Sequence, residues 1–380
     1  MRKLYLNYVL VFFALLATAF QACNKRIDGI DNNVVVETPY TLYYADTAGA
    51  LYNTNDGISI NRILFPADGY ASRAVCTSGD DILWVKHDLH LSSNNGTNFN
   101  TANYLLTANG SGSNYFNIND SSLNQTLILN SLDEGRVYIT TDGNANLTYG
   151  SNPTYVLGMG LAYSEQNGNA LTWVVDTFYD NNLNVNNAGV VSTNIGITSL
   201  TELTNNTIVA YDANHNRIFS KSSKTNPWIE QVQVAANALP TPNGFTLAHF
   251  NNLLVAVDYK YRNGGYYSSD LGQNWTKFNG LPPNINLYYA ASPLNQVLLV
   301  GTDSMGVYKL GTDNVTFASA NIGLETSTSV YSMVGKVVVY KNEGITMQYI
   351  YMATSQGLYR SQDLGQSWIR MQTGNMVSCY

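Results

Sequence analysis

Five acids carry most of this chain's capacity for chemistry: Asp133, Glu134, Asp212, Asp258 and Asp303. Each follows closely on an apolar run, respectively Thr126 to Asn130 for the first two, Thr207 to Tyr211, Leu253 to Val257 and Gln296 to Gly301. Two carboxyl groups facing each other about 5–10 Å apart can cleave a glycosidic bond, one protonating the leaving oxygen while the other attacks or activates water. Acids also accept hydrogen bonds from sugar hydroxyls, and the tyrosines and tryptophans interleaved with them offer faces for a ring to stack on. The plainer reading is that Asp ends strands and opens turns throughout proteins. Other chemistries lack their residues. His87 and His90 stand three apart, which in a strand puts them on opposite faces. No HExxH, CxxC, phosphate-binding glycine loop or nucleophile elbow occurs, so neither a metal nor a cofactor is expected.

The acids must be positioned by strands, because no stretch of the body has a helical apolar period while short apolar runs recur throughout. A second run, rich in aromatic and β-branched residues, recurs in one register: Ala50-Leu51-Tyr52, Arg136-Val137-Tyr138-Ile139, Arg217-Ile218-Phe219-Ser220, Gly306-Val307-Tyr308 and Gly357-Leu358-Tyr359. Behind it stands a turn that is intact twice, as Ser268-x-Asp270-x-Gly272-x-x-Trp275 and as Ser361-x-Asp363-x-Gly365-x-x-Trp368. Short Ser and Asp side chains can fold back onto turn N–H groups that have no ladder partner. Gly272 and Gly365 supply positive φ, and the Trp carries apolar surface to a neighbouring sheet. Degenerate versions place Asp56, Asn94, Asp142, Ser223 and Thr312 at the Asp position. With one unmarked unit between Asp142 and Ser223, the steps average about 44 residues, the length of a four-stranded propeller blade.

This eight-residue pattern resembles the Asp-box, or BNR, repeat of β-propellers such as sialidases, sortilin-type receptors and xyloglucan-cleaving glycosidases. The resemblance implies an all-β fold, a single β-propeller of four-stranded antiparallel blades. Eight blades are favoured and seven are the alternative, because the first unit lacks an innermost strand and could share a blade with the C-terminus. It also implies a structural role for Ser268, Asp270, Gly272, Trp275, Ser361, Asp363, Gly365 and Trp368, with ligands bound on the opposite face, where the five acids fall. A sialidase would further need an early Arg-Ile-Pro motif. The nearest stretch, Asn61-Arg62-Ile63-Leu64-Phe65-Pro66, follows the first turn instead of preceding it.

Composition sets the address. Only 12% of the 380 residues are charged, Tyr and Gly number 28 and 30, and the net charge is −7, which argues against nucleic acid as a partner. Arg2 and Lys3 precede an apolar segment, Val9 to Phe20, that is too short to span a bilayer comfortably. It ends at Phe20-Gln21-Ala22-Cys23, which resembles a relaxed bacterial lipobox of the kind found in Bacteroidetes-type exported lipoproteins, with Cys23 as the lipidated residue. The expected organisation is a signal segment over 1–23, a tether over 24–38 and a propeller over 39–380. The two remaining cysteines, Cys76 and Cys379, are expected to be free. The chain then reads as a monomer lipid-anchored in the bacterial envelope, on the periplasmic or surface side of the outer membrane. It would touch the membrane through its N-terminal lipid only and serve as a non-enzymatic recognition or scaffold module for a glycan or an envelope protein. A glycoside hydrolase using a carboxylate pair is the alternative.

Overall fold

The computed structural model describes residues 41–63, 69–78, 80–86, 89–101, 104–107, 113–116, 128–130, 137–140, 161–167, 170–176, 197–213, 216–223, 226, 228–233, 245–259, 262–340 and 345–380. Tyr40–Lys336 with Gln348–Tyr380 form one compact unit. The far ends of one hairpin, Val337–Met347, belong to a second unit.

Within the larger unit, strands succeed one another as antiparallel neighbours. The first three are β1 (Leu42–Asp46), β2 (Leu51–Thr54) and β3 (Asn61–Ile63), and the next four are β4 (Ala74–Ser78), β5 (Asp81–Val85), β6 (Leu89–Ser92) and β7 (Asn100–Thr101). A six-stranded sheet combines β8 (Tyr104–Thr107), β9 (Ser113–Phe116), β10 (Ile128–Asn130), β11 (Val137–Thr140), β12 (Leu161–Asn167) and β13 (Ala170–Asp176). Four sheets of four strands come next. They are β14 (Ile197–Glu202) to β17 (Ile229–Gln233) through β15 (Ile208–Asp212) and β16 (Arg217–Lys221); β18 (Phe245–Phe250), β19 (Leu253–Asp258), β20 (Gly265–Ser268) and β21 (Thr276–Lys277); β22 (Leu287–Ala291), β23 (Leu299–Thr302), β24 (Val307–Leu310) and β25 (Phe317–Ser319); and β26 (Val330–Tyr340), β27 (Ile345–Thr354), β28 (Gly357–Ser361) and β29 (Ile369–Thr373). The last strand, β30 (Met376–Cys379), returns to β1 and completes the first sheet in the order β3-β2-β1-β30. Tyr43 and Tyr380 seal that seam by exchanging backbone N–H···O bonds of 2.9 and 2.8 Å.

Consecutive four-stranded antiparallel sheets, with a C-terminal strand completing the first, make a β-propeller. Among the described residues there are six four-stranded sheets and the one of six strands. The six-stranded sheet occupies the stretch where two units were expected, and most of residues 104–196 lie outside the described set, Asp142 and its turn among them.

Core lies between neighbouring sheets, which is why the middle strands are buried on both faces. β5, β15 and β16 are buried at every position. One cluster joins Val209, Tyr211 and Ile218 to Phe245, Leu254 and Tyr266 of the following sheet. Another joins Val255, Val257 and Phe278 to Leu298, Val300 and Phe317. Burial also separates the two edges of each sheet. The last strands are the most open, as in β21 and β29, and form the periphery. The first strands β14, β18 and β22 pack beside one another, as do β30 and β4.

Candidate functional site

The repeated turn is a compact hydrogen-bond cage. The Ser268 hydroxyl donates to Asp270 Oδ1 at 2.7 Å and accepts the Gly272 N–H at 2.8 Å, while Asp270 Oδ1 accepts the Asn274 N–H at 2.8 Å. The second copy matches it. Ser361 donates to Asp363 Oδ1 at 2.8 Å and accepts from Gly365 at 2.8 Å, and Asp363 Oδ1 accepts the Ser367 N–H at 2.9 Å. Ser92, Asn94, Gly96 and Asn98 repeat the pattern at 2.9, 2.9 and 3.0 Å with an amide in place of the carboxylate. Thr54 and Asp56 build a version one residue shorter, in which Asp56 Oδ1 accepts the N–H groups of Ile58 and Ser59, each at 2.7 Å. In the β24–β25 turn the structure corrects the alignment. Asp313, not Thr312, holds the N–H groups of Val315 and Thr316, at 3.1 and 2.9 Å. Gly311 stands where the other turns have a hydroxyl residue, so the cage shifts by one position.

The residue before each glycine also adopts positive φ: Leu271 at 56° and Leu364 at 55°. A leucine in this region is strained, and both side chains pack against inter-sheet clusters, which offsets the strain. A Cβ on Gly272 would lie 3.1 Å from Ile218, and one on Gly365 3.1 Å from Leu299, so each turn presses on the preceding sheet. Trp368 is buried and donates its indole N–H to the Ala320 carbonyl at 2.9 Å, also in the preceding sheet. Trp275 is only partly buried against its cluster. The serines and aspartates thus close each turn on itself, while its glycine, leucine and tryptophan press on the neighbouring sheet.

The acids lie at the other end of the hairpins, where the second strand of a sheet turns into the third. Asp212 is fully buried and accepts two bonds from Arg217, at 3.1 Å to Nε and 3.0 Å to Nη2. Arg217 Nη1 also reaches Glu230 at 3.5 Å. Asp258, equally buried, accepts the Asn263 N–H at 3.0 Å and its side-chain amide at 2.8 Å. Asp46 accepts the Ala50 N–H at 2.8 Å and the Tyr52 hydroxyl at 3.0 Å. Thr302 and Thr354 fill the same role later in the chain, bonding to Gly306 and Gly357. In these five hairpins the end of the second strand staples its own turn. Asp303 differs: it is half-exposed, accepts the Ser304 hydroxyl at 3.0 Å, and has its backbone carbonyl bonded by Ser329. Asp133, Glu134, His87 and His215 lie outside the described residues, as does Cys23. No cluster of three His, Cys, Asp or Glu side chains able to hold a metal ion occurs among the described residues.

The side chains joining first strands were not foreseen. Ser199 of β14 accepts the Leu247 N–H of β18 at 2.7 Å. Ser332 of β26 accepts the Cys379 N–H of β30 at 2.7 Å, and Ser378 of β30 accepts the Val75 N–H of β4 at 3.3 Å. The Tyr289 phenol on β22 takes the Met333 N–H of β26, a bond that opposes the upward push of burial on its pKa, which still reaches about 12. Each hydroxyl serves an edge N–H of the next sheet that would otherwise lack a partner. His249 adds a further link, with Nδ1 3.3 Å from Thr201 Oγ1 and Nε2 3.1 Å from Asn295 Oδ1. Burial lowers its pKa. Cys76 and Cys379 are both buried and free, and burial raises both thiols, Cys379 to about 11. A repeated signal was available for the hairpin staples: Asp212 and Arg217, like Asp258 and Asn263, stand five residues apart.

No protein-family model matches this chain, and no curated protein does either. Many solved structures share its general architecture. YCF48 bound to a D1 peptide is 11% identical, with a TM-score of 0.47 over 84% of this chain and 94% of that one. Virginiamycin B lyase from Staphylococcus aureus is 12% identical, with a TM-score of 0.48 over 79% and 84%. The GH74 xyloglucanase from Xanthomonas campestris is 14% identical, with a TM-score of 0.30 over 91% of this chain and 63% of its own. These β-propellers differ in activity and carry no argument about chemistry here.

Proposed function

We propose that this chain is an exported, lipid-anchored β-propeller acting as a non-enzymatic recognition or scaffold module, with a glycan or an envelope protein as its ligand. The observation that carries this reading is the use of the buried acids. Asp212 and Asp258 are fully engaged within their own hairpins. A carboxylate held by Arg217 from a position five residues away clamps a turn, and Asp258 does the same through Asn263. Asp303, the half-exposed member, favours the hydrolase alternative. We read the repeated cages as Asp-boxes, the six-stranded sheet as two incompletely described units of an eight-bladed ring, and the protein as a monomer. Cys23 is the proposed lipidation site, displaying residues 39–380 from the outer membrane on its periplasmic or surface side.

The test is a glycan array together with a glycosidase-substrate screen on residues 24–380, run in parallel with Asp303→Asn. Binding without turnover supports the recognition reading. Cleavage that Asp303→Asn abolishes overturns it and establishes the hydrolase. Cys23 is tested separately by lipid labelling of the full chain against Cys23→Ser, and an unlabelled parent would end the anchoring reading.

A further inference from the structure

The last sheet turns one face to the sheet before it and the other to the first. Ile350, Met352 and Tyr359 enter the cluster shared with the preceding sheet. Side chains alternate along a strand, so Tyr349, Tyr351 and Arg360 point the opposite way, into the seam with the first sheet. Tyr351 and Arg360 stand directly opposite each other on β27 and β28. Across the same seam the Tyr44 hydroxyl donates to Gln372 Oε1 at 2.5 Å. Lys336 of β26 enters it as well, with Nζ 5.5 Å from the centre of the Tyr380 ring.

The Arg360 guanidinium lies over the Tyr349 ring, 4.8 Å from its centre. Its Nε and Nη1 are closed off from solvent and meet no hydrogen-bond acceptor among the described residues. Other cations of this fold are answered by the chain: Arg217 by Asp212 at 3.0 Å, Lys86 by the Gly49 carbonyl at 3.3 Å, and Arg370 by Glu325. At Lys336 burial lowers the pKa, and what opposes that shift is the Cys379 thiol, not a carboxylate. A ring beneath a cation offsets only part of the cost of burying its charge unpaired. Both side chains are half-buried, so the seam is partly open to solvent where they meet it.

We propose that the seam between the last sheet and the first binds a carboxylate-bearing ligand, with Arg360 as the forked donor and Lys336 as a second cation. A guanidinium is planar and matches a carboxylate with two parallel N–H···O bonds. Tyr349 holds that plane in place before the ligand arrives, so little ordering is left for binding to supply. Lys336 stands two strand spacings from Arg360, about 10 Å across the sheet. A dicarboxylate therefore suits the pair better than a single acid does. The inference goes beyond the reading above and depends neither on the lipid anchor nor on the acids of the opposite face.

The test is calorimetric titration of the full chain, kept in detergent, with succinate, acetate, glucuronate and inorganic phosphate at constant ionic strength. Succinate should bind one to one and about tenfold tighter than acetate. Arg360→Lys, which keeps the charge and removes the fork, and Lys336→Gln should each weaken succinate about tenfold. Thermal melting supplies a readout that a structural arginine would not share. Arg360→Met removes an uncompensated charge at similar volume, so the unliganded variant should melt at or above the parent and lose the upward shift that succinate gives. Glucuronate held more tightly than acetate supports the site with its carboxylate on a sugar, and equal binding supports it with a free acid. No succinate binding by the parent, binding undiminished in Arg360→Lys, or phosphate held as tightly as succinate overturns the proposal. So does an Arg360→Met variant that melts well below the parent, which would make the arginine a prop of the seam.

Discussion

At the scale of the residue, the cage acids are turn-builders whose charge is incidental to their geometry. Backbone and side-chain bonds from Asn274 and Ser268 lower the Asp270 pKa. At Asp363 burial pulls upward, but bonds from Ser367, Ser361 and Gln366 outweigh it, and the net shift is downward. Asp313 is lowered by Thr316 and Val315. An acid with a lowered folded pKa stabilises the fold above its ordinary pKa of about 4, and that contribution is lost as pH falls through the lower value. Stability should therefore be level in this respect from about pH 5 to neutrality and fall below about pH 4. Asn94 builds the same cage with a neutral amide. Asp363→Asn should accordingly stay within about 0.5 kcal/mol of the parent at pH 7 and soften the acid limb of the denaturation curve. Asp363→Ala should cost about 1–2 kcal/mol by leaving turn N–H groups without acceptors. Urea titrations at pH 7 and pH 3.5 check both, and equal losses for Asn and Ala at pH 7 would contradict the argument.

At the scale of the element, hairpins and cages were legible in the sequence because their signals are local. Ser-x-Asp-x-Gly-x-x-Trp packs donor, acceptor and positive-φ residue into one short stretch, and the five-residue step from Asp212 to Arg217 lies within one hairpin. The joints between sheets were not legible. Ser199 and Leu247 stand 48 residues apart, and a serine inside a strand gives no local sign of which backbone N–H it meets. A second unseen joint runs along the outer strands. Asn279 exchanges backbone bonds with Val315 and Phe317, at 3.0 and 2.9 Å, and Ile322 accepts the Trp368 N–H at 2.8 Å. The glycines behind them, Gly280 and Gly323, lie so close to the next sheet that a Cβ would come within 2.0 Å of the Phe317 and Trp368 carbonyls. The acids are a local case whose partner still has to be seen. Asp212 and Asp258 read as open turn residues until the partner across the hairpin is seen. Ser332→Ala should cost about 1–2 kcal/mol by orphaning the Cys379 N–H. Faster hydrogen exchange at that amide, with Val75 unaffected, would confirm the joint, whereas unchanged protection at Cys379 would refute it.

At the scale of the whole molecule, the first sheet depends on the last strand. The sequence showed the first unit to be short of an innermost strand, and β30 supplies it. Met376 and Cys379 are buried at that seam. Removing Asn375 to Tyr380 should lower stability by about 4 kcal/mol or more, from lost apolar burial and exposure of the β1 edge. A synthetic peptide of residues 374–380 added in trans should recover part of the loss. Thermal melts with and without the peptide read this directly, and a truncated chain melting with the parent would show the seam to be dispensable.

The Tyr43–Tyr380 pair also decides how this protein answers to force. β1 and β30 run antiparallel, and the chain enters β1 at the end where β30 finishes. A pull applied between the two ends of the body therefore unzips that ladder one hydrogen bond after another, and never loads the bonds together in shear.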